Sequence, residues 1–496
     1  MNYEAVIGLE VHVQLKTKSK MFCGCATAFG APPNTQTCPV CLGYPGVLPV
    51  MNEEAVRQTI LTGLMLGCEI ARFSKWDWKN YFYPDMPKNY QISQYDLPLC
   101  LGGGVTIKRA DGGASRFGLT RIHLEEDVAK NSHFATTSGV DFNRAGTPLM
   151  EIVSEPVLRS PEDAFAYLTA LKEILISGGV SDCDMEKGQL RCDANVSVRP
   201  VGQAEFGQKV EIKNMNTVSG VRRALAHEIP RQIAAVRKGE AIAQETRRWD
   251  EAAGVTVVMR TKEYAHDYRY FPEPDLMPVV VSDAWLTELR RLVPELPEAK
   301  RQRFVQQYGL PEYDAEVLVG KEDAADFCES SSSSSNDEEI LISLSGTPVR
   351  QVSPKSIVNW LTTDLFALLA GAHQELGDSK ITPQMFRQFV WLVESGQINR
   401  QQGKEVLEEM FISGKWPVEI AREKHFSQVS DVGALEALVA QAIASNPKSV
   451  ADYRAGNAAA INFLKGQVMK LSQGKANPQV AGELLRRKLE GRCGVS

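Results

Sequence analysis

Five stretches in the first half of the chain alternate apolar and polar side chains with period two, and this constrains the fold more than any other feature. In Ala5-Val6-Ile7-Gly8-Leu9-Glu10-Val11-His12-Val13-Gln14-Leu15, an extended backbone sends successive side chains to opposite faces. Ile7, Leu9, Val11, Val13 and Leu15 form an apolar face; Glu10, His12 and Gln14 line up on the other. Arg121, His123, Glu125 and Asp127 oppose Ile122 and Leu124, and Glu151 and Glu155 alternate within the next such stretch. Arg191, Asp193, Asn195, Ser197 and Arg199 oppose Cys192, Ala194, Val196 and Val198, and Lys209, Glu211 and Lys213 oppose Val210 and Ile212. Such a chain buries one face of a sheet and leaves carboxylates, cations and amides on the other.

A polar face of that kind is often plain solvent surface. Carboxylates placed regularly beside His and Arg are also the donor set of a hard divalent ion, most simply Mg²⁺. Arg and Lys on the same faces suit phosphate or carboxylate oxygens. The combination points to metal-assisted phosphoryl transfer on an open sheet. The usual phosphate-loop, dinucleotide, GxSxG and HExxH signatures are absent from the sequence, so the chemistry needs this less common arrangement.

The organisation expected is α+β: a mixed, largely antiparallel sheet domain over residues 1–293, a helical domain over 294–410 and a helical tail over 411–496. A chain of 496 residues suits about three domains of about 150 residues. One clear helix interrupts the strands, capped by Ser160-Pro161-Glu162-Asp163, carrying Phe165, Leu168, Leu171, Ile174 and Leu175, and stopped by Gly178-Gly179. Ser353-Pro354 and Thr382-Pro383 start helices later in the chain. Six serines, Ser330 to Ser335, run into Asn336-Asp337-Glu338-Glu339, and 330–339 reads as a flexible connection. From Arg454 to Ser496, eight Lys/Arg stand against two Glu, so a net charge of −6 divides into +6 here and −12 elsewhere. That asymmetry fits a polyanion contact or a solvated amphipathic helix. No apolar run is long enough to span a membrane, and no signal peptide is visible. Ten cysteines are too sparse for a secreted disulfide scaffold, which favours a reducing cytoplasm.

Cys23-x-Cys25 and Cys38-x-x-Cys41, twelve residues apart, suit a tetrahedral structural zinc, with four reduced thiols as the alternative. The stretch Trp76–Lys88 is dense in aromatics, lysines and prolines; it suits a rigid loop for a base or ribose, or a packed surface loop. Arg260 to Tyr270 forms a similar charged and aromatic segment.

Together these residues resemble a known family. Ile7-Gly8-Leu9-Glu10-Val11-His12, Tyr83-Pro84-Asp85, Tyr90-Gln91-Ile92-Ser93-Gln94-Tyr95-Asp96, His123-Leu124-Glu125-Glu126-Asp127 and Asn143-Arg144-Ala145-Gly146-Thr147-Pro148 are similar to the B-subunit family of aspartyl/glutamyl-tRNA(Asn/Gln) amidotransferases. So are Arg191-Cys192-Asp193, Glu211-Ile212-Lys213-Asn214, Glu245-Thr246-Arg247-Arg248-Trp249 and His266-Asp267-Tyr268-Arg269-Tyr270-Phe271-Pro272, and the likeness spans essentially the whole chain.

The resemblance implies a kinase-like protein that uses ATP and Mg²⁺ to phosphorylate the side-chain carboxylate of Glu on tRNA(Gln), or Asp on tRNA(Asn), before ammonia displaces the phosphate. It implies an amidase partner, the A subunit, as ammonia source, and a small clamp, the C subunit. It assigns Glu10, His12, Glu125 and Glu151 to the divalent site, with Asp193 and Glu211 in the same cavity or at a second ion. Lys79 and Tyr81 are nucleotide contacts under this reading, Cys23, Cys25, Cys38 and Cys41 hold a structural zinc, and the basic tail binds the tRNA body. The Ser330 tract departs from the family pattern. A non-catalytic scaffold that presents tRNA is the alternative.

Overall fold

A computed structural model describes residues 2–490 apart from 109–112, 262–266, 333–341, 345, 347, 350–351, 427–431, 456, 473–475 and 477. The chain divides into two compact units, Met1–Pro297 and Glu298–Ser496.

The first unit is built on a large sheet. Its path uses β1 (Tyr3–Gln14), β2 (Asp77–Asn80), β3 (Tyr90–Ser93), β4 (Ala114–Glu126), β5 (Pro148–Ser154), β6 (Leu190–Pro200), β7 (Val210–Met215), β8 (Glu245–Asp250), β9 (Val255–Thr261) and β10 (Phe271–Pro272). The order across the sheet is β9-β8-β7-β6-β1-β5-β4-β3-β2-β10, with short strands attached off this path. Along it every pair is antiparallel except β7–β8. The architecture is therefore α+β with a mixed sheet, as the alternation pattern indicates.

Helices cover the apolar face. The helices are α1 (Glu53–Met65), α2 (Pro161–Ser177), α3 (Val218–Arg237) and α4 (Asp283–Arg291). Leu168, Leu171 and Leu175 of α2 and Val221, Ala224 and Leu225 of α3 share one core with Ile7, Leu9, Val11, Val13, Ala194 and Val196. Burying each such side chain stabilises by about 1.5–3 kcal/mol. The cap of α2 forms as the sequence indicates: Ser160 accepts from the Asp163 amide, and Pro161 opens the helix.

Among the described residues, three helices beyond the expected one appear in this unit. In α1, Asn52 caps the Ala55 amide, while Thr59 and Thr62 hide their hydroxyls on the carbonyls of Ala55 and Gln58. Those threonines blur an apolar stripe when read from sequence, although both are buried. The helix α3 carries Pro230 in its interior, a residue that argues against a helix. Topology supplies the counter-argument: α3 joins the parallel strands β7 and β8, and a parallel pair needs a long crossover.

Glu228 on α3 is fully buried and ties this crossover to the sheet edge. It accepts from Arg231 Nε at 2.9 Å, Gln232 Nε2 at 2.9 Å and Thr256 Oγ1 at 2.7 Å, with Arg247 Nε at 3.6 Å.

The second unit is helical. Phe304, Trp360, Phe386, Phe389, Val406, Ile420 and Ala421 belong to one core. Leu435, Val439, Leu464, Val468 and Leu485 belong to another. Packing thus divides between Ala421 and Leu435, later than the expected start of the tail at 411, because the helix Pro417–Glu423 buries Val418 and Ile420 in the first of these cores. The serine tract also departs from expectation. Ser330–Ser332 complete the helix Glu322–Ser332, with Ser331 and Ser332 buried and Ser332 Oγ bonded to the Cys328 carbonyl at 2.7 Å. A serine that bonds back to its own helix loses the polarity on which a flexible reading relies. The rest of the segment, 333–339, lies outside the described residues. No helix among the described residues is long and apolar enough to cross a membrane.

Candidate active site and metal centres

Strand register assembles the site. His12 on β1 lies opposite Glu151 on β5, which lies opposite His123 on β4. One row across three strands therefore reads imidazole, carboxylate, imidazole. His12 Nε2 is 3.4 Å and His123 Nε2 3.5 Å from Glu151 Oε2. Glu125, two residues beyond His123 on the same face, has Oε2 3.9 Å from His123 Nε2 and 3.6 Å from Lys79 Nζ. Ser93 Oγ donates to the same oxygen at 3.3 Å.

This is no solvent face: Glu125 is 2% and Glu151 7% exposed. Burial pushes both carboxyl groups upward, but the neighbouring cations outweigh it. With Lys79 and His123 beside it, Glu125 falls to about 2. His123 and His12 likewise hold Glu151 well below the ordinary carboxylate range. Both are anionic throughout the neutral range, the state a metal ligand requires. Burial pulls His12 down, and the Glu151 carboxylate more than offsets it, leaving the imidazole above its usual value.

A second acidic group lies one step along β1. Glu10 pairs with Asp193 on β6, and Asn195 on β6 pairs with Glu211 on β7. Asn195 Nδ2 donates to Glu10 Oε1 at 2.9 Å, Thr246 Oγ1 donates to Glu211 Oε2 at 2.8 Å, and Lys213 bridges Asp193 and Glu211.

The structure thus brings His12, Glu125 and Glu151 together, and separately Glu10, Asp193 and Glu211; within each group one ligand atom per residue lies within 4.8 Å of the others. Glu10 falls into the second group although the resemblance ranks it with the first, because two residues along a strand span about 6.6 Å. Both groups are rich in oxygen donors, which suits hard divalent ions. Glu155 leaves the face of Glu151: the pairing shifts after Val153, and Glu155 Oε1 instead accepts from Thr120 Oγ1 at 2.8 Å.

A cavity of about 330 Å³ opens over this face, bordered by His12, Glu125, Asp193, Lys79, Tyr81, Arg191 and Lys213 among others. Lys79 Nζ also sits 5.4 Å from the centre of the Tyr268 ring. Asp127 Oδ2 orients Arg191, 2.9 Å from its Nη2, and accepts from Gln14 Nε2 at 2.8 Å. Beyond Glu10, a pocket of about 260 Å³ is lined by Gly8, Asn195, Ser197, Phe206 and Lys209.

His123, Lys213, Arg191 and Asp127 are site residues that the ligand assignment omits. Their signal was present in the sequence, since each alternates onto the same polar face as an assigned carboxylate.

The four cysteines converge as well. Cys23, Cys25, Cys38 and Cys41 have sulfurs within 4.8 Å of one another, compatible with the spacing of roughly 3.8 Å around a tetrahedral zinc. The Cys38 amide lies 3.2 Å and Lys20 Nζ 3.6 Å from Cys41 Sγ. Hydrogen bonding from Cys23, with help from the Cys38 amide and Lys20, pulls the Cys41 thiol down to about 4 against the effect of burial.

Fold and site define the class first: an α+β chain whose large sheet carries an acidic, cation-ready cavity on the face opposite its helices. Comparison with known proteins narrows this. Residues 5–287 match the family described as the GatB/GatE catalytic domain, and residues 347–489 match the GatB domain. The chain is 52% identical over 490 residues to the aspartyl/glutamyl-tRNA(Asn/Gln) amidotransferase B subunit of Caldanaerobacter subterraneus, covering 99% of this chain and 100% of that one. It is 51% identical to the corresponding B subunits of Methylacidiphilum infernorum and Opitutus terrae, with 99% of each chain covered in both comparisons. The chain belongs to the B-subunit family of the aspartyl/glutamyl-tRNA(Asn/Gln) amidotransferases, and is thereby a component of an amidotransferase of the ligase class.

Proposed function

We propose that this chain activates the side-chain carboxylate of Glu on tRNA(Gln), or Asp on tRNA(Asn), by phosphorylation from ATP, and that ammonia then forms the amide. The observation that carries the reading is a cavity bordered by His12 and Glu125 of one acidic cluster, by Asp193 of the other, and by Lys79, Arg191 and Lys213. A free carboxylate is a poor acyl donor because its leaving group is oxide or hydroxide, and phosphorylation replaces that with phosphate. Mg²⁺, when bound, neutralises charge on the transferring phosphoryl group.

The chain's own residues hold and orient. His12, Glu125 and Glu151 form one ligand set, and Glu10, Asp193 and Glu211 the other. Lys79 and Tyr81 border the cavity as nucleotide contacts, and Arg191, held by Asp127, presents its guanidinium to phosphate or carboxylate oxygens. A scaffold without chemistry is not favoured, since it requires no burial of Glu125 and Glu151.

Ammonia comes from an amidase partner, the A subunit, with a small C subunit completing the complex. Zinc at the four cysteines is structural, all four positions being sulfur. The nine described cysteines are free thiols, which supports a reducing compartment, the cytoplasm or an organelle where translation occurs.

The test is ADP release by the chain with its copurifying partners, given Mg-ATP and ammonium, with and without Glu-tRNA(Gln) or Asp-tRNA(Asn). ADP release that depends on the mischarged tRNA and yields the amidated product is expected. Tight tRNA binding without ADP release on either substrate overturns the reading.

The basic tail binds the tRNA body through phosphates. Lys470 and Arg486 are exposed on the helices Ala460–Leu471 and Pro478–Leu489. Replacing both with Gln is expected to flatten the slope of log K against log salt by about 1–2, with little change in tRNA selectivity. Equilibrium binding across a salt series checks this.

A further inference from the structure

The four-cysteine module does not stand apart from the cavity. Its loop grips the segment 141–147 through bonds that no zinc ligand requires. Asn34, at φ 60°, donates from its amide to Asp141 Oδ1 at 3.0 Å and from Nδ2 to the Val140 carbonyl at 3.1 Å; its Oδ1 accepts from the Phe142 amide at 2.8 Å. Asn143 answers from the other side, accepting from the Gln36 amide at 2.8 Å and donating to the Pro32 carbonyl at 2.7 Å. Lys20, only 1% exposed, reaches both Cys41 Sγ and the Phe142 carbonyl, the latter at 3.2 Å. The Met21 amide donates to the Gly146 carbonyl at 2.7 Å.

The gripped segment in turn holds the cavity floor. Gly146 donates to the Asp127 carbonyl at 2.9 Å, and the Asp127 amide donates to Thr147 at 2.8 Å. Arg144 bonds the carbonyls of Val128 and Ala129 at 2.8 Å each and lies 3.8 Å from Asp127 Oδ2. Gly146 is wedged at φ 84°, where an added Cβ would lie 3.4 Å from both Cys41 and Lys20. The route from sulfur cluster to cavity is therefore continuous: Cys41, Lys20 and Asn34, then 141–147, then Asp127, then Arg191.

We propose that the cysteine module is a buttress for the cavity wall, with Asn34 and Asn143 as positioning residues that set Asp127 and, through it, Arg191. The part played by Arg191 rests on the phosphoryl-transfer reading; the mechanical coupling does not. A left-handed residue that also bonds through its side chain can be cut cleanly, since Gly keeps the backbone and loses the side chain.

The test uses the full chain in its complex. Asn34→Gly is expected to keep its zinc content, while hydrogen exchange at the amides of Asp127 and Gly146 accelerates about tenfold or more. The KM for ATP is expected to rise about fivefold with kcat within about twofold, the effect of loosening one oriented contact. Asn34→Asp keeps the acceptor for Phe142 but sets a carboxylate oxygen against the Val140 carbonyl where Nδ2 donated, and is expected to restore the protection only in part. Stripping zinc from the unmutated chain with a chelator forms the second arm and is expected to loosen the same amides. If stripping loosens only residues 20–45 and leaves Asp127 and Gly146 protected, the module is self-contained and the proposal fails. Unchanged exchange in Asn34→Gly overturns it equally. Neither exchange readout involves the reaction, so loss of the phosphoryl-transfer reading leaves them interpretable.

Discussion

Glu125→Gln is expected to reduce tRNA-dependent ADP release by at least about 10³-fold while tRNA binding stays within about twofold of the unmutated chain. The substitution keeps size and shape and removes one negative charge from a site where Glu125 is 2% exposed and lies 3.6 Å from Lys79 Nζ. A divalent ion there loses an anionic ligand, and the energy of placing a cation in the cavity changes sharply in so dry a setting. About 4 kcal/mol of lost transition-state stabilisation corresponds to the stated factor. Glu151→Gln is expected to behave alike, because it removes the anion that both His12 and His123 face. Single-turnover ADP release with Glu-tRNA(Gln) and saturating Mg²⁺, beside filter-binding of the tRNA, separates chemistry from docking. Turnover retained in both variants removes these carboxylates from the mechanism; lost tRNA binding shows instead that the cavity face is a docking surface.

The largest effect on folding is expected at Glu228→Ala, on the helix that carries the parallel crossover. Removing one member of a buried ion pair costs about 3–5 kcal/mol when its partners stay charged, and here those partners, Arg231 and Arg247, are only partly buried. Glu245, close to both Arg231 and Arg247, still answers part of that charge, so the lower end applies. A loss of about 3 kcal/mol lowers the melting temperature of the first unit, Met1–Pro297, by about 5 °C. Burial pushes the Glu228 carboxyl upward, but hydrogen bonds from Arg231, Gln232 and Thr256 win, and it lies below its ordinary value. A carboxyl lowered by folding contributes stability above its unfolded pKa of about 4.3, and that contribution is lost as pH falls through the folded value. The gap in stability between the unmutated chain and Glu228→Ala is therefore expected to be full at pH 7 and to narrow below about pH 4. Calorimetry across pH checks both the size and the sign; a gap that widens on acidification contradicts the ion-pair account.

Much of the site was legible because period-two alternation is local. Glu10, His12, Glu125, Glu151, Asp193 and Glu211 all lie on the polar face that their stretches imply, and the cysteine spacing closes into one cluster. What alternation cannot express is partnership across strands. Glu10 and His12 share a face of β1, yet they face different neighbours, Asp193 and Glu151. Glu155 shows the same limit from the other side: a one-residue shift in pairing after Val153 carries it away from a face its spacing would give it. Helices were less legible where a local signal opposed the tertiary one, as with Pro230 in α3, the threonines of α1 and the serines that end Glu322–Ser332.

By itself, then, the sequence determined the α+β class, the faces of the strands and the chemical kind of each face, because these follow from covalent geometry that repeats every two residues. The tertiary structure alone decided that six candidate ligand residues fall into two groups of three, and that the cysteine module touches the cavity wall. Register and loop contact arise from hydrogen bonds between residues more than a hundred positions apart, and they settle only when the sheet buries its apolar face against the helices.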